Sequence, residues 1–290
     1  MDVAALVQAI VTGLVMGGIY ALVAAGLTLI FGVMRIINLV HGEFLMVAMY
    51  GSFFMNSLFG LDPYISVVVI LPLLFLIGSG FFRFLISPIL SAPEINQILL
   101  TIGASIFIQN LALLLFTADF RTIALSYSRI KIQLGPGIID LPQLVALLSS
   151  ILLTLILYWL LKSTDLGRWI RAASQNREAA LLTGIDVRRV YLFTFGIGTA
   201  CVGVAGSLLS GIYYITPSIG WLFLLTAFVV VVLGGMGNFV GALLGGFIIA
   251  LTESVGSLFM PIALVPVLKF IIFIILLLFR PQGLFGLKRL

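Results

Sequence analysis

The sequence predicts an all-α integral membrane protein, a polytopic bundle of about eight to nine helical segments. Composition is the first ground. Residues AVILMFWYC make up 62% of the chain and DEKR only 9%, and the mean hydropathy is +1.30. A soluble domain carries roughly 25% charged residues, so this chain cannot cover its surface with charge. The second ground is the presence of uncharged runs long enough to cross a bilayer core, which takes about 20 residues of helix. The third is the uneven placement of Lys and Arg along the chain. Together these exclude a cytosolic enzyme, a secreted domain and a nucleic-acid partner, despite a net charge of +5. In a membrane protein that excess reads as topology.

The uncharged runs are residues 3–34, 63–82, 95–118, 141–161 and 190–252. Residues 39–59 are broken only by His41 and Glu43, and residues 262–279 only by Lys269. The 190–252 run is long enough for two or three passes, with breaks expected at Thr216-Pro217-Ser218 and at Gly234-Gly235-Met236-Gly237-Asn238. Residues 221–234 would give about 21 Å of helix, short of a core of about 30 Å. They form either half of a re-entrant pair with residues 239–259 or a short tilted span. The N-terminus has Asp2 where a signal peptide carries basic residues, so the first apolar run is expected to be retained.

Orientation follows from charge. Residues 162–189 hold six basic residues and three acids, which predicts a cytoplasmic loop. Counting passes outward from it puts Arg35, residues 83–94 and the 280–290 tail on the same side, with the N-terminus outside. That arrangement leaves Arg121, Arg129 and Lys131 in an outer loop at 119–140.

The single Cys201 excludes an intrachain disulfide, and the single His41 excludes multi-histidine metal sites. No catalytic residue, metal or cofactor is therefore expected in this chain. Intramembrane polar residues become the candidates, because each is expensive in lipid. Gln97, Thr101, Ser105 and Gln109 recur every four residues and share one helix face, as interhelical glue or as pathway lining. Asn38, His41 and Glu43 open the second helix near the cytoplasmic boundary, either as an interfacial cap with Glu43 paired to Arg35 or as a gate. Glu253 is placed at an interface in preference to a buried, paired site, and Lys269 either snorkels or pairs within the helices. Residues 30–44 and 231–247 both run into glycine and a polar turn before resuming. Such interrupted segments often line a substrate path, which makes Gly234, Gly235, Gly237 and Asn238 pathway candidates.

Within the charged block, Asn176 can cap a short helix with Glu178 in its first turn, and Gly184 can end it. The small side chains of Ala179 and Ala180 would let it dock closely into a partner. Glu178-Ala179-Ala180 followed by Gly184 resembles the EAA-x-x-x-G loop of ATP-binding-cassette importer permeases. INLVHGEF (37–44), TIGASIFIQN (101–110), GRWIRAASQNREAALLTGI (167–185), VVLGGMGNFVGALLGG (231–246) and RPQGLFG (280–286) extend the match. In that order, over nearly the whole chain, they resemble the branched-chain amino acid permease family, the first of its two permease subunits.

The resemblance implies a single transmembrane permease domain over residues 1–290, with 162–189 as a cytoplasmic coupling loop in a prokaryotic cytoplasmic membrane. It implies a second permease subunit, two cytoplasmic ATPases that bind ATP and Mg, and an extracytoplasmic substrate-binding protein. Arg177, Glu178, Ala179, Ala180 and Gly184 would then couple the bundle to an ATPase. The chain has no G-x-x-x-x-G-K-[ST] motif, so ATP hydrolysis would fall to the partner. The implied cargo is a branched-chain or hydrophobic amino acid moved by alternating access. Importers of amides or urea share these motifs. A self-sufficient transporter driven by an ion gradient, or a channel, is the competing class, and it would need Glu43, Glu253 or Lys269 deep in the bundle.

Overall fold

The computed structural model describes residues 2–280 and 282–285. The expected tail at 286–290, with Pro281, lies outside the described residues. The chain is all-α with one small hairpin. Its elements run α1 (Val3–Met34), α2 (His41–Phe59), α3 (Pro63–Phe81), α4 (Glu94–Phe116), β1 (Lys131–Leu134), β2 (Gly137–Asp140), α5 (Leu141–Ser163), α6 (Asp165–Gln175), α7 (Arg177–Leu182), α8 (Val187–Ser210), α9 (Ile219–Gly234), α10 (Phe239–Gly256) and α11 (Val265–Phe279). Among the described residues, seven helices are long and apolar enough to cross a membrane. With α2 and the short α9, nine apolar helices match the segments read from the sequence. The two remaining helices, α6 and α7, both fall in the charged block, where only α7 was expected.

Helix α1 forms the axis. Most of its residues beyond Gly13 are buried, and every one from Ala21 to Ile30, which is why it shows no amphipathic face. It is enclosed chiefly by α10 and α8, with α5 and α9 completing the wall. Glycines set these approaches. Gly17 lies against Phe247 of α10, Gly18 against Ser150 of α5 and Gly26 against the Gly198 carbonyl of α8. An aromatic cluster joins α2, α3 and α8, with the Phe44 ring 5.6 Å from Phe81 and 6.4 Å from Phe195. Helices α4 and α11 are the least covered, as lipid-facing helices should be.

The loops divide between two faces. One carries the start of α1, where Gln8 bonds both ways with the Ile138 backbone of the hairpin (2.9 and 2.8 Å). Here Tyr127 donates to Asp62, Tyr64 donates to the Pro142 carbonyl (2.9 Å), and Arg121 exchanges backbone bonds with Ile215. Burial first, and then the bond to Asp62, hold the Tyr127 phenol protonated well above its ordinary range. The hairpin itself was read only as an outer loop. The other face carries α6, α7, the 82–93 connection and the α9–α10 turn, where Gly32 at the end of α1 meets Gly237. Helix α9 starts from the loop that pairs with Arg121 and ends beside Gly32. The 211–234 stretch as a whole therefore runs from one face to the other, with α9 as its inner part, in line with the short-span option.

Two chain breaks turn partly into the protein, burying Ile36, Asn38 and Val40 in one and Ile215 and Thr216 in the other, as irregular backbone at membrane depth requires. After α1 the chain reverses at Arg35, in the left-handed region at φ 56°, and folds back along α1. His41 consequently sits against Val23 and Gly26, well before the end of α1. The 211–218 segment likewise turns inward, so that Gly42 at the start of α2 and Gly220 at the start of α9 touch backbone to backbone. A Cβ on Gly42 would lie 2.7 Å from the Gly220 carbonyl carbon. Gly103 on α4 faces open space. Gly42→Ala is thus expected to destabilise the purified protein by about 1–3 kcal/mol, the usual cost of overpacking. Gly103→Ala should leave thermal unfolding in detergent unchanged or slightly raised. Equal melting of the two variants would refute the backbone contact.

Candidate functional site

The exposed part of the site is the α6–α7 elbow. Asn176 ends α6 and caps α7, its side chain accepting from the Ala179 amide at 3.0 Å. Glu178 occupies the first turn, where its charge complements the helix dipole. Gly184 leaves the helix at φ 82°, and the Ile185 amide closes the turn on the Ala180 carbonyl (3.1 Å). These are the caps read from the sequence. Arg177, Glu178, Ala179 and Gly184 are exposed, and Leu182 projects with 89% of its surface free. Ala180 differs: at 3% exposure it packs into its own chain, so its small size serves internal packing, and only Ala179 offers close approach to a partner. Helix α6 is amphipathic, with Ile170 and Ala173 buried. Beside the elbow lies a cleft of about 380 Å³ bordered by Trp169, Gly184 and Phe193.

The buried part lies where α2 begins. Asn38, His41 and Glu43 are 0–1% exposed, not interfacial as expected. The reason is the fold-back after Arg35, which carries the start of α2 into the bundle. Glu43 does not pair with Arg35. Its Oε1 accepts from the Ser105 hydroxyl of α4 at 3.0 Å, while Oε2 has no partner among the described residues. His41 Nε2 donates to the Val23 carbonyl (3.1 Å), and its Nδ1 is free. Neither atom of the Asn38 amide is bonded. Buried polar groups left in this way cost roughly 1–3 kcal/mol each, so several in one place mark a functional constraint.

The α4 stripe divides. Gln97, Thr101 and Ser105 form its buried face, whereas Gln109 is half-exposed and makes no side-chain bond. Thr101 donates to the Ile37 carbonyl of the folded-back segment (3.2 Å), and Gln97 reaches the carbonyls at 89–92. Two of the four residues thus attach α4 to irregular backbone, and Ser105 attaches it to the Glu43 carboxylate of α2. Gly234, Gly235, Gly237 and Asn238 gather at the α9–α10 turn. Gly235 and Gly237 adopt φ 96° and 86°, and Gly234 crosses Gly241 at backbone contact. Asn238 caps α10 through the Gly241 amide (2.9 Å) and donates to the Phe285 carbonyl (2.7 Å). These four residues build a docked turn at one face, and the structure does not bring them to the Asn38–Glu43 cluster.

Glu253 is paired and not interfacial, and Lys269 takes the second of its two options, pairing within the helices. Lys269 is 3% exposed and contacts Glu253 Oε1 at 3.0 Å. Its ammonium also donates to Thr226 (2.8 Å), and Tyr20 donates to Glu253 Oε2 (2.9 Å). This network ties α11 to α10, α9 and α1. Sequence reasoning missed it because Tyr20 and Thr226 carry no signal apart from their neighbours. Removing one partner of a buried pair leaves an uncompensated charge. Lys269→Ala is therefore expected to cost about 3–5 kcal/mol, with the double variant Lys269→Met/Glu253→Leu recovering most of it. Equal melting temperatures for the single and double variants would sink the clamp.

The family described as branched-chain amino acid transport system / permease component matches residues 9–279. The permease protein LivH of the high-affinity branched-chain amino acid transport system of Escherichia coli (strain K12) is 32% identical, over 96% of this chain and 95% of its own. Its counterpart BraD of Pseudomonas aeruginosa is 30% identical with the same coverage. The probable LivH of Methanocaldococcus jannaschii is 29% identical over 96% of this chain and 93% of its own. No solved structure matches. With a bundle of nine apolar helices, a capped elbow and a match over nearly its full length, the chain belongs to the branched-chain amino acid transport permease family.

Proposed function

We propose that this chain is a permease subunit of an ATP-driven importer, carrying branched-chain or other hydrophobic amino acids across a prokaryotic cytoplasmic membrane. The observation that supports it most is the elbow. A charged, doubly capped helix stands exposed on the face richest in Lys and Arg, with the EAA-x-x-x-G residues in its turn and the apolar Leu182 at its tip. Cytoplasmic ATPase subunits would seat on it, binding the ATP and Mg. A second permease subunit would complete the translocation path in the membrane. The opposite face, with its hairpin and outer loops, would receive an extracytoplasmic binding protein, which places the N-terminus outside and the C-terminus in the cytoplasm.

Movement of α7 would reach the bundle through α6 and α8, which continue into the helices around Asn38, His41 and Glu43. Their unbonded atoms are suited to partners gained in another conformation. The gradient-driven alternative draws little support from Glu253. A carboxylate held by an ammonium and a phenol on two other helices is a clamp and not a free carrier.

Co-expression with candidate ATPases and the sister permease, followed by native mass spectrometry, tests the assembly. A complex with two ATPase copies is expected, and one lacking any ATPase would overturn the reading. The exposed residues carry the finer test. Glu178→Ala and Leu182→Asp should uncouple ATP hydrolysis from uptake while insertion and melting stay normal. Coupled uptake at the wild-type rate in both variants would reject the elbow as the docking element.

A further inference from the structure

A cleft of about 380 Å³ opens on the elbow face between α1, α5 and α6. Its floor is apolar, made by Leu29 and Val33 of α1, Ile170 of α6 and Phe239, whose ring stacks on Tyr158 of α5 at 6.0 Å. Its rim is cationic. Lys162, at the end of α5, lies 5.6 Å from the Tyr158 ring centre, and Arg171 of α6 donates to the Leu161 carbonyl. Deeper in, Thr28 is 2% exposed, and its hydroxyl has no partner among the described residues. Helices α1 and α5 both end at this face. Thr28 and Tyr158 therefore lie further into the membrane than Val33 and Lys162, and the cleft grades from charged to apolar along the bilayer normal.

We propose that this cleft binds an anionic phospholipid, its phosphate between Lys162 and Arg171 and its acyl chain along the apolar floor toward Thr28. The lining selects against the transported class. A zwitterionic amino acid needs a carboxylate for its ammonium, and the cleft offers two cations and no acid. The apolar floor likewise argues for an amphiphile over a small anion. Helix α6 provides the setting, because an amphipathic helix with Arg on its polar side and Trp169 half-exposed is suited to the membrane surface. A lipid held there would rest on the helix that carries α7, placing headgroup charge beside the elbow. The inference depends on membrane embedding and not on the transport reading, so the two can fail separately.

The test reconstitutes the full chain into nanodiscs of mixed phosphatidylglycerol and phosphatidylcholine, re-extracts it, and weighs retained lipid by native mass spectrometry. Wild type is expected to retain phosphatidylglycerol preferentially. Lys162→Gln/Arg171→Gln should lower retention by about thirtyfold, the effect of removing two basic residues at a membrane surface. Ser174→Trp, which fills the rim without changing charge, should also lower it. Arg168→Gln, on α6 but paired with Asp165 outside the cleft, should not. Unchanged retention in the double variant and in Ser174→Trp would overturn the proposal. So would equal loss in Arg168→Gln, which would show general surface charge, or displacement by millimolar inorganic phosphate, which would show an anion site with no need of lipid.

Discussion

Backbone-to-backbone packing around α1 is the constraint on which the rest of the molecule depends. In lipid there is little hydrophobic drive to bring helices together, so association relies on dispersion and hydrogen bonds between closely approaching surfaces. Gly17, Gly18, Gly26 and Gly32 bring four different elements against one helix, and each contact would be lost to a side chain. Burial on every side explains both the length of α1 and its uniform apolarity. Once α10 and α8 are seated on it, the positions of α9, α2 and α3 follow through Gly234–Gly241, Gly42–Gly220 and the phenylalanine cluster.

The breaks in the helices are the second consequence. Irregular backbone at membrane depth must be covered by protein, so the 35–40 and 211–218 segments fold inward against α1, α4 and the start of α9. This inward turn carries Asn38, His41 and Glu43 into the interior. Their environment is therefore a property of the fold-back. It requires the reversal at Arg35 and the hydroxyls of Thr101 and Ser105 on α4, which bond to the Ile37 carbonyl and to Glu43.

At the elbow face, chemistry and mechanics converge. Helix α7 is short and capped at both ends, so it behaves as a rigid knob on the amphipathic lever α6. The lever packs on α5, α1 and α8 together. A force on Leu182 or Glu178 is thus delivered to three of the helices that build the core. The charged clamp of Lys269 and Glu253 works differently, holding the lightly packed α11 to the bundle by electrostatics where van der Waals contact is sparse.

Much of this was legible in the sequence. The uncharged runs located the nine apolar helices because crossing lipid demands length and apolarity, both local properties. Asn176 and Gly184 bounded α7 because caps act through their own neighbours. Two further elements carry local signals of their own: Leu166, Ile170 and Ala173 at helical spacing for α6, and KIQL-GP-GIID alternating about a turn for the hairpin. What only the tertiary structure decided was partnership. Glu43 bonds Ser105 instead of Arg35, Ala180 faces inward, Gln109 leaves the buried face, and Lys269 meets Glu253, Thr226 and Tyr20. Each depends on how a helix is rotated and at what depth it starts. Those are set by glycine contacts between segments far apart in the chain, which no local pattern records.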